Sequence, residues 1–296
     1  MFRRLFTALP LIATLAWPSS PVAASELTIY AIPSPKAIDW SSPSSLARTT
    51  ANNFLVPDLH WSGYDLGHAA VSFKCESRET VLAGLRAGPH EGNFALLMKK
   101  KIGLGILFHA YPGRVQTEAE LLGDLRERAR SGRMGWLRFQ ISPKTCARLS
   151  TYWREYLAQG LDRRYGVHLQ PRRREGAGNT SFAVSFLEVA GVLTAELRSH
   201  WERTVLVNDE LIGRERAPVG LTSILFTRHW SNVAQPHRRL SFYDPNLMYR
   251  EIIGAWSAQF KNGSPAGITL DKDGRAPGLI IDARQVPTPA EPIWKP

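Results

Sequence analysis

The stretch 67–75 alternates strictly: Ala69, Val71, Phe73 and Cys75 fall on one side, and His68, Ala70, Ser72 and Lys74 on the other. A period of two predicts a β-strand with a core side and a polar side that opens on a cleft or on solvent. A second strand is predicted over 103–110, where Leu104, Ile106 and Phe108 alternate with Gly105, Leu107 and His109. The residues that follow, Ala110, Tyr111, Pro112 and Gly113, read as a turn.

Helices announce themselves by their ends. Thr117 with Glu120 three residues later forms a capping box, and Gly132 marks the stop of the run between them, a charged helix predicted to be exposed. Ser142 before Pro143 is an N-cap and first-turn pair; Leu149, Trp153, Tyr156 and Leu157 then recur at helical spacing up to Gly160, so this helix packs on a core. A third helix is predicted near Thr180, after Gly176, Ala177, Gly178 and Asn179, carrying Phe182, Phe186, Val189 and Leu193. Asp244 with Pro245 starts a fourth through Met248, Ile252, Ile253 and Trp256, followed by a short apolar strand at 279–281 and a Pro-rich tail over about 282–296. Strands and helices in this arrangement predict an α+β fold, an antiparallel sheet packed against helices.

The chain has 296 residues, 44 % hydrophobic and 21 % charged, which is the composition of a folded protein with a sizeable core. Arg3 and Arg4 precede an apolar run over 5–17, then Pro18, Ser19, Ser20 and Pro21, and the small residues Val22, Ala23, Ala24 and Ser25. This is the pattern of a secretory signal peptide over 1–25, cut after Ala24 or Ser25. A membrane anchor is the competing reading, but a span needs about 20 unbroken apolar residues, and this run is shorter and holds Pro10. No later stretch is long and apolar enough to span, and none has the composition of a linker, so residues 26–296 are expected to form one domain, periplasmic or secreted.

The formal charge is +11; removing the first segment leaves 35 basic and 26 acidic residues, or +9. An exported basic protein meets anionic or peptide components of the cell envelope rather than nucleic acid. The basic clusters, Arg172, Arg173 and Arg174 behind Arg163 and Arg164, and Lys99, Lys100 and Lys101, are not interleaved with aromatic residues as a single-strand platform would be. The plain alternative is an arginine-rich solvated surface. Export favours a disulfide between Cys75 and Cys146 over two free thiols; a nucleophilic thiolate at either is the competitor.

Three positions can carry chemistry together: His68, His109 and the glycine-led helix start at Asn179. A helix N-terminus offers free N–H groups and partial positive charge, which suit a nucleophile facing a strand histidine, and a second polar strand residue can orient that histidine. On Gly67 and His68, on His109, and on the stretch from Gly176 to Glu188, the chain resembles the circularly permuted papain-like domains of NlpC/P60 type, over about residues 60–200. In that family a glycine–histidine strand precedes a helix that starts with the catalytic cysteine, and members are amidases, peptidases or acyltransferases of envelope peptides and lipids. The resemblance implies His68 as base, His109 as orienter and position 179 as the seat of the nucleophile. That seat holds an amide, so a slow or inactive hydrolase is expected, and a non-catalytic binding protein is the alternative. In the latter, Arg172, Arg173 and Arg174, with Thr180 and Ser181, would border the ligand. Asn179 is otherwise an N-cap, and each histidine a hydrogen-bonded structural residue. The eight histidines, at 60, 68, 90, 109, 168, 200, 229 and 237, form no compact ligand motif, and there is no Walker loop, dinucleotide fingerprint or Gly-x-Ser-x-Gly elbow, so neither metal nor cofactor is expected.

Overall fold

Strand β1 (Ser25–Ile32) runs through the middle of the molecule, hydrogen-bonded to strands on both edges. The structure, a computed structural model, describes residues 25–54, 64–76, 80–90 and 92–296. The segment read as a signal peptide lies outside them except for Ser25, which sits in β1, buried, its hydroxyl accepting from Glu76 N at 3.3 Å.

The elements follow in the order α1 (Pro43–Phe54), β2 (His68–Lys74), β3 (Val81–Ala87), α2 (Asn93–Met98), β4 (Tyr111–Val115), α3 (Glu118–Ser131), β5 (Gly135–Ile141), α4 (Pro143–Ala158) and β6 (Arg164–Tyr165). They continue with α5 (Asn179–Ala190), α6 (Ala195–Trp201), β7 (Glu202–Asn208), α7 (Leu221–Phe226), β8 (His237–Tyr243), α8 (Pro245–Asn262), β9 (Ile268–Asp273) and β10 (Ala276–Asp282). Eight strands form one sheet in the order β6-β4-β3-β2-β1-β5-β10-β9, while β7 and β8 pair apart from it. Every neighbour in the large sheet is antiparallel except β5 and β10, which run parallel. The expected α+β architecture, a sheet dominated by antiparallel pairs and packed with helices, is present. Among the described residues no helix is long and apolar enough to cross a membrane.

The sheet has two covered faces, and this decides everything at the candidate site. Leu27, Ile29 and Ala31 of β1, Ala69, Val71 and Phe73 of β2, and Ala83 and Leu85 of β3 share a core with α4, α5 and α8. The alternate residues point the other way, where Ile32 and Trp136 pack with Tyr64 and with Leu125 and Ala129 of α3. The side of β2 predicted to open on a cleft is therefore closed: His68 through Phe73 are all buried. Helix α3, predicted to be exposed, buries Leu121, Leu125, Arg128 and Ala129 against that face. Its ends are as read: Thr117 Oγ1 accepts from Glu120 N at 3.2 Å, Glu120 Oε2 accepts from Thr117 N at 2.8 Å, and Gly132 takes a left-handed φ of 72°.

Two local expectations are corrected. The stretch read as a strand over 103–110 is a 3-10 turn at Leu104–Phe108, closed by Gly105 N donating to Ile102 O and Ile106 N to Gly103 O. The supposed turn after it is β4. Leu104 turns away from the large sheet into a second small core with Val205, Val207, Leu240 and Phe242 of the β7–β8 pair, which removes the reason for alternation. Cys75 and Cys146 are joined, tying the end of β2 to the first turns of α4.

Candidate functional site

The turn before β2 brings the chain close to the start of α5. Gly67 N donates to Tyr64 O at 2.9 Å, and Gly67 adopts φ 89°, with the ring of Pro245 where a side chain would stand. Its carbonyl accepts from Asn179 Nδ2 at 3.4 Å, and the same Nδ2 donates to the Tyr165 hydroxyl at 3.3 Å. Asn179 is the first helical residue, and the N-cap is Gly178, whose N donates to Ser181 Oγ at 2.9 Å. The Asn179 side chain is thus a clamp between the strand turn, β6 and the helix, and its N-cap reading is replaced. Thr180 is buried, and Ser181 spends its hydroxyl on Leu169 O and Gly178 O at 3.3 Å each, so neither faces a ligand as expected.

His68 follows Gly67 directly, but its side chain leaves on the opposite face of the sheet from α5. The imidazole stacks on Tyr64 with ring centroids 3.9 Å apart and planes within 1° of parallel. Tyr64 donates to Asp124 Oδ2 at 2.6 Å and accepts from Gln116 Nε2 at 2.7 Å, while the Arg128 guanidinium lies 5.6 Å from the tyrosine ring centre. Gly84, across from Ala70 on β3, makes room: a Cβ there would lie 2.6 Å from Gln116 Oε1 and 3.2 Å from His68 Nε2. Both atoms are buried without a hydrogen-bond partner. With 1 % of its surface exposed, His68 is held down to about 3 by burial, opposed by the Gln116 amide and reinforced by Arg86 and Arg128. A general base works best with a pKa near the operating pH and within reach of the proton it takes; this imidazole meets neither condition. The expected pairing of His68 with position 179 is corrected: both adjoin Gly67, one along the chain and the other through a hydrogen bond, but their side chains are separated by the sheet.

His109 is exposed and ends the 3-10 turn. Its ring meets Tyr111 edge-on at 4.7 Å, as does His90 at 4.7 Å, and the Tyr111 hydroxyl donates to Asn93 Oδ1 at 2.9 Å. Tyr111 is in register with Tyr165 across β4 and β6. Burial pushes both hydroxyls up to about 12. His109 therefore does not orient His68; it belongs to a rim of rings on the Asn179 side. Tyr111 and Tyr165 were missed from the sequence, since β6 has two residues and no periodicity to read.

Within the triple arginine, Arg172 does not face a ligand. Arg172 is buried, its Nε donating to Ile293 O at 2.8 Å and its Nη2 to Pro292 O at 2.9 Å, with Glu188 3.6 Å from its guanidinium. Arg174, at φ 61°, donates to Gln159 Oε1 at 3.1 Å and lies over the Trp294 ring at 5.1 Å. Arg173 and Arg174 are exposed. Arg172 and Arg174 hold the Pro-rich tail, which Trp294 also fastens by donating to Glu155 Oε2 at 2.6 Å. Among the described residues no group of histidine, cysteine, aspartate and glutamate side chains is placed to hold a metal. No family model, curated protein or solved structure matches the chain.

Proposed function

We propose that this chain is an exported, envelope-facing binding protein of permuted papain-like type that holds a peptide ligand without cleaving it. One observation carries the reading: the seat of the nucleophile is an asparagine amide that donates to Gly67 O and the Tyr165 hydroxyl, while the strand imidazole expected to face it, His68, lies across the sheet. An amide with both bonds made is no nucleophile. The meeting of the glycine-led α5 with the Gly67–His68 turn supports the papain-like arrangement, and the Cys75–Cys146 bridge supports an oxidising compartment. With Arg172 and Arg174 committed to the tail, the rim that remains for a ligand is His90, His109, Tyr111 and Asn93, flat rings and an amide suited to an extended peptide.

The test pairs turnover with reactivity. Purified protein incubated with peptidoglycan stem peptides and acyl esters is expected to release no product, while calorimetric titration of the stem peptides gives binding that His109→Ala weakens. In Asn179→Cys the new thiol is expected to react with iodoacetamide at a rate that His68→Ala leaves unchanged. Turnover by the unmodified protein, or alkylation that depends on His68, defeats the binding reading and restores the hydrolase.

A further inference from the structure

Helices α1 and α7 pack against each other, and between them opens a cavity of about 640 Å³ lined by Ser41, Ser45, Arg48, Phe226, Arg228 and His229. The first amides of α1 are already used: Ser44 N donates to Thr227 O at 3.0 Å, Ser45 N to Ser42 Oγ at 3.1 Å and Leu46 N to Ser42 O at 2.9 Å. Attraction for an anion at this cavity therefore comes from side chains. Arg48 and Arg228 are both exposed, and Asp39, held below the usual carboxylate range mainly by hydrogen bonds from Ser41, also feels the charge of Arg48.

The stretch of chain that supplies Leu225, Phe226, Arg228 and His229 to this cavity has an unusual balance. Between Glu215 and Asp244 it carries four arginines, two histidines and no acidic residue. The same stretch holds the two most exposed large hydrophobic side chains among the described residues, Phe226 at 84 % and Val233 at 80 %, with Leu225 at 38 %. Exposed apolar side chains set among cations fit neither a plain solvated surface nor a soluble anion. A free phosphate or an acidic polymer pairs with Arg48 and Arg228 and offers Phe226 nothing. An anionic bilayer offers both, headgroup phosphates for the guanidinium groups and an acyl boundary for the apolar tips.

We propose that this end of the molecule docks on an anionic phospholipid surface, with Phe226 and Val233 entering the interface and Arg48 and Arg228 holding headgroup phosphates. None of these residues belongs to the Asn179 site, so the docking stands or falls apart from the peptide-binding reading. The experiment is sedimentation of the full protein with phosphatidylcholine vesicles, with and without phosphatidylglycerol, at low and high salt. Binding is expected only with phosphatidylglycerol and is expected to weaken with salt. Phe226→Ser with Val233→Ser is expected to lower partitioning about tenfold, since two exposed apolar side chains lose their insertion. Both positions are exposed, so the melting temperature should be unmoved. Arg228→Ala is expected to lower partitioning a few-fold, and soluble glycerol phosphate should not release the protein. Failure to bind phosphatidylglycerol vesicles, or binding that the double serine variant retains in full, overturns the proposal, the latter because charge alone would then explain attachment. Release by soluble glycerol phosphate overturns it as well, in favour of a small-anion site.

Discussion

Lowering the pH from about 7 to about 5 should destabilise this protein through a single imidazole, and the size of the effect follows from where His68 lies. In the folded chain His68 titrates at about 3, against an ordinary value of 6.5. Below 6.5 the unfolded chain takes up a proton that the folded chain refuses until about 3. The stability His68 permits is thus complete above 6.5 and is lost as pH falls, by about 1.4 kcal/mol for each pH unit and about 2 kcal/mol by pH 5. Of the groups facing it, the Gln116 amide offsets only part of the burial, Arg86 from β3 and Arg128 from α3 both disfavour a second positive charge, and Tyr64 takes up Asp124. The assay is the urea midpoint measured across that range for the native chain and for His68→Gln, which cannot titrate. Taking the difference between the two chains cancels the contributions of other groups, His168 among them, which burial also lowers. His68→Phe keeps a ring against Tyr64 and serves as a second non-titrating reference. If the native chain and both variants lose stability in parallel as pH falls, the sealed imidazole is wrong, and with it the separation of His68 from Asn179.

The Cys75–Cys146 bridge spans a sequence separation of 71, for which chain entropy gives about 4 kcal/mol; the Cys75→Ser, Cys146→Ser double variant should show that loss in its urea midpoint, and an unchanged midpoint would disprove the bond's role. Arg172→Met leaves Glu188 short of its buried partner and frees the carbonyls of Pro292 and Ile293, so about 3 kcal/mol should be lost and proteolysis within 284–296 should begin earlier. A tail cut no faster in Arg172→Met than in the native chain would refute the strap. Gly84→Ala puts a methyl 2.6 Å from Gln116 Oε1 and 3.1 Å from Leu121 Cδ2, so a cost of about 1–3 kcal/mol is expected in thermal melting, and a neutral outcome would mean that the Gln116 side is looser than described.

Much of the secondary structure could be read because its causes are local. The capping box of Thr117 and Glu120, the Ser142–Pro143 start of α4 and the Asp244–Pro245 start of α8 are bonds between residues two or three apart, and each forms as expected, with Ser142 Oγ accepting from Thr145 N at 3.2 Å and Asp244 Oδ1 from Asn246 N at 2.8 Å. Alternation identified β2 and the two sides of it. It failed over 103–110, where Leu104 is claimed by a core built from residues about a hundred positions later. The burial of Arg172 was illegible for the same reason, since what covers it is a tail 120 positions away.

The sequence alone determined where the helices of this protein begin, that β2 has two distinct sides, and that two cysteines were available to pair. Only the tertiary structure decided that α3 and Tyr64 cover the polar side of β2, leaving the imidazole of His68 neutral and shut away from Asn179. Caps and alternation depend on neighbours along the chain, whereas burial, and with it the charge state and reach of a side chain, depends on distant segments that one sequence does not place.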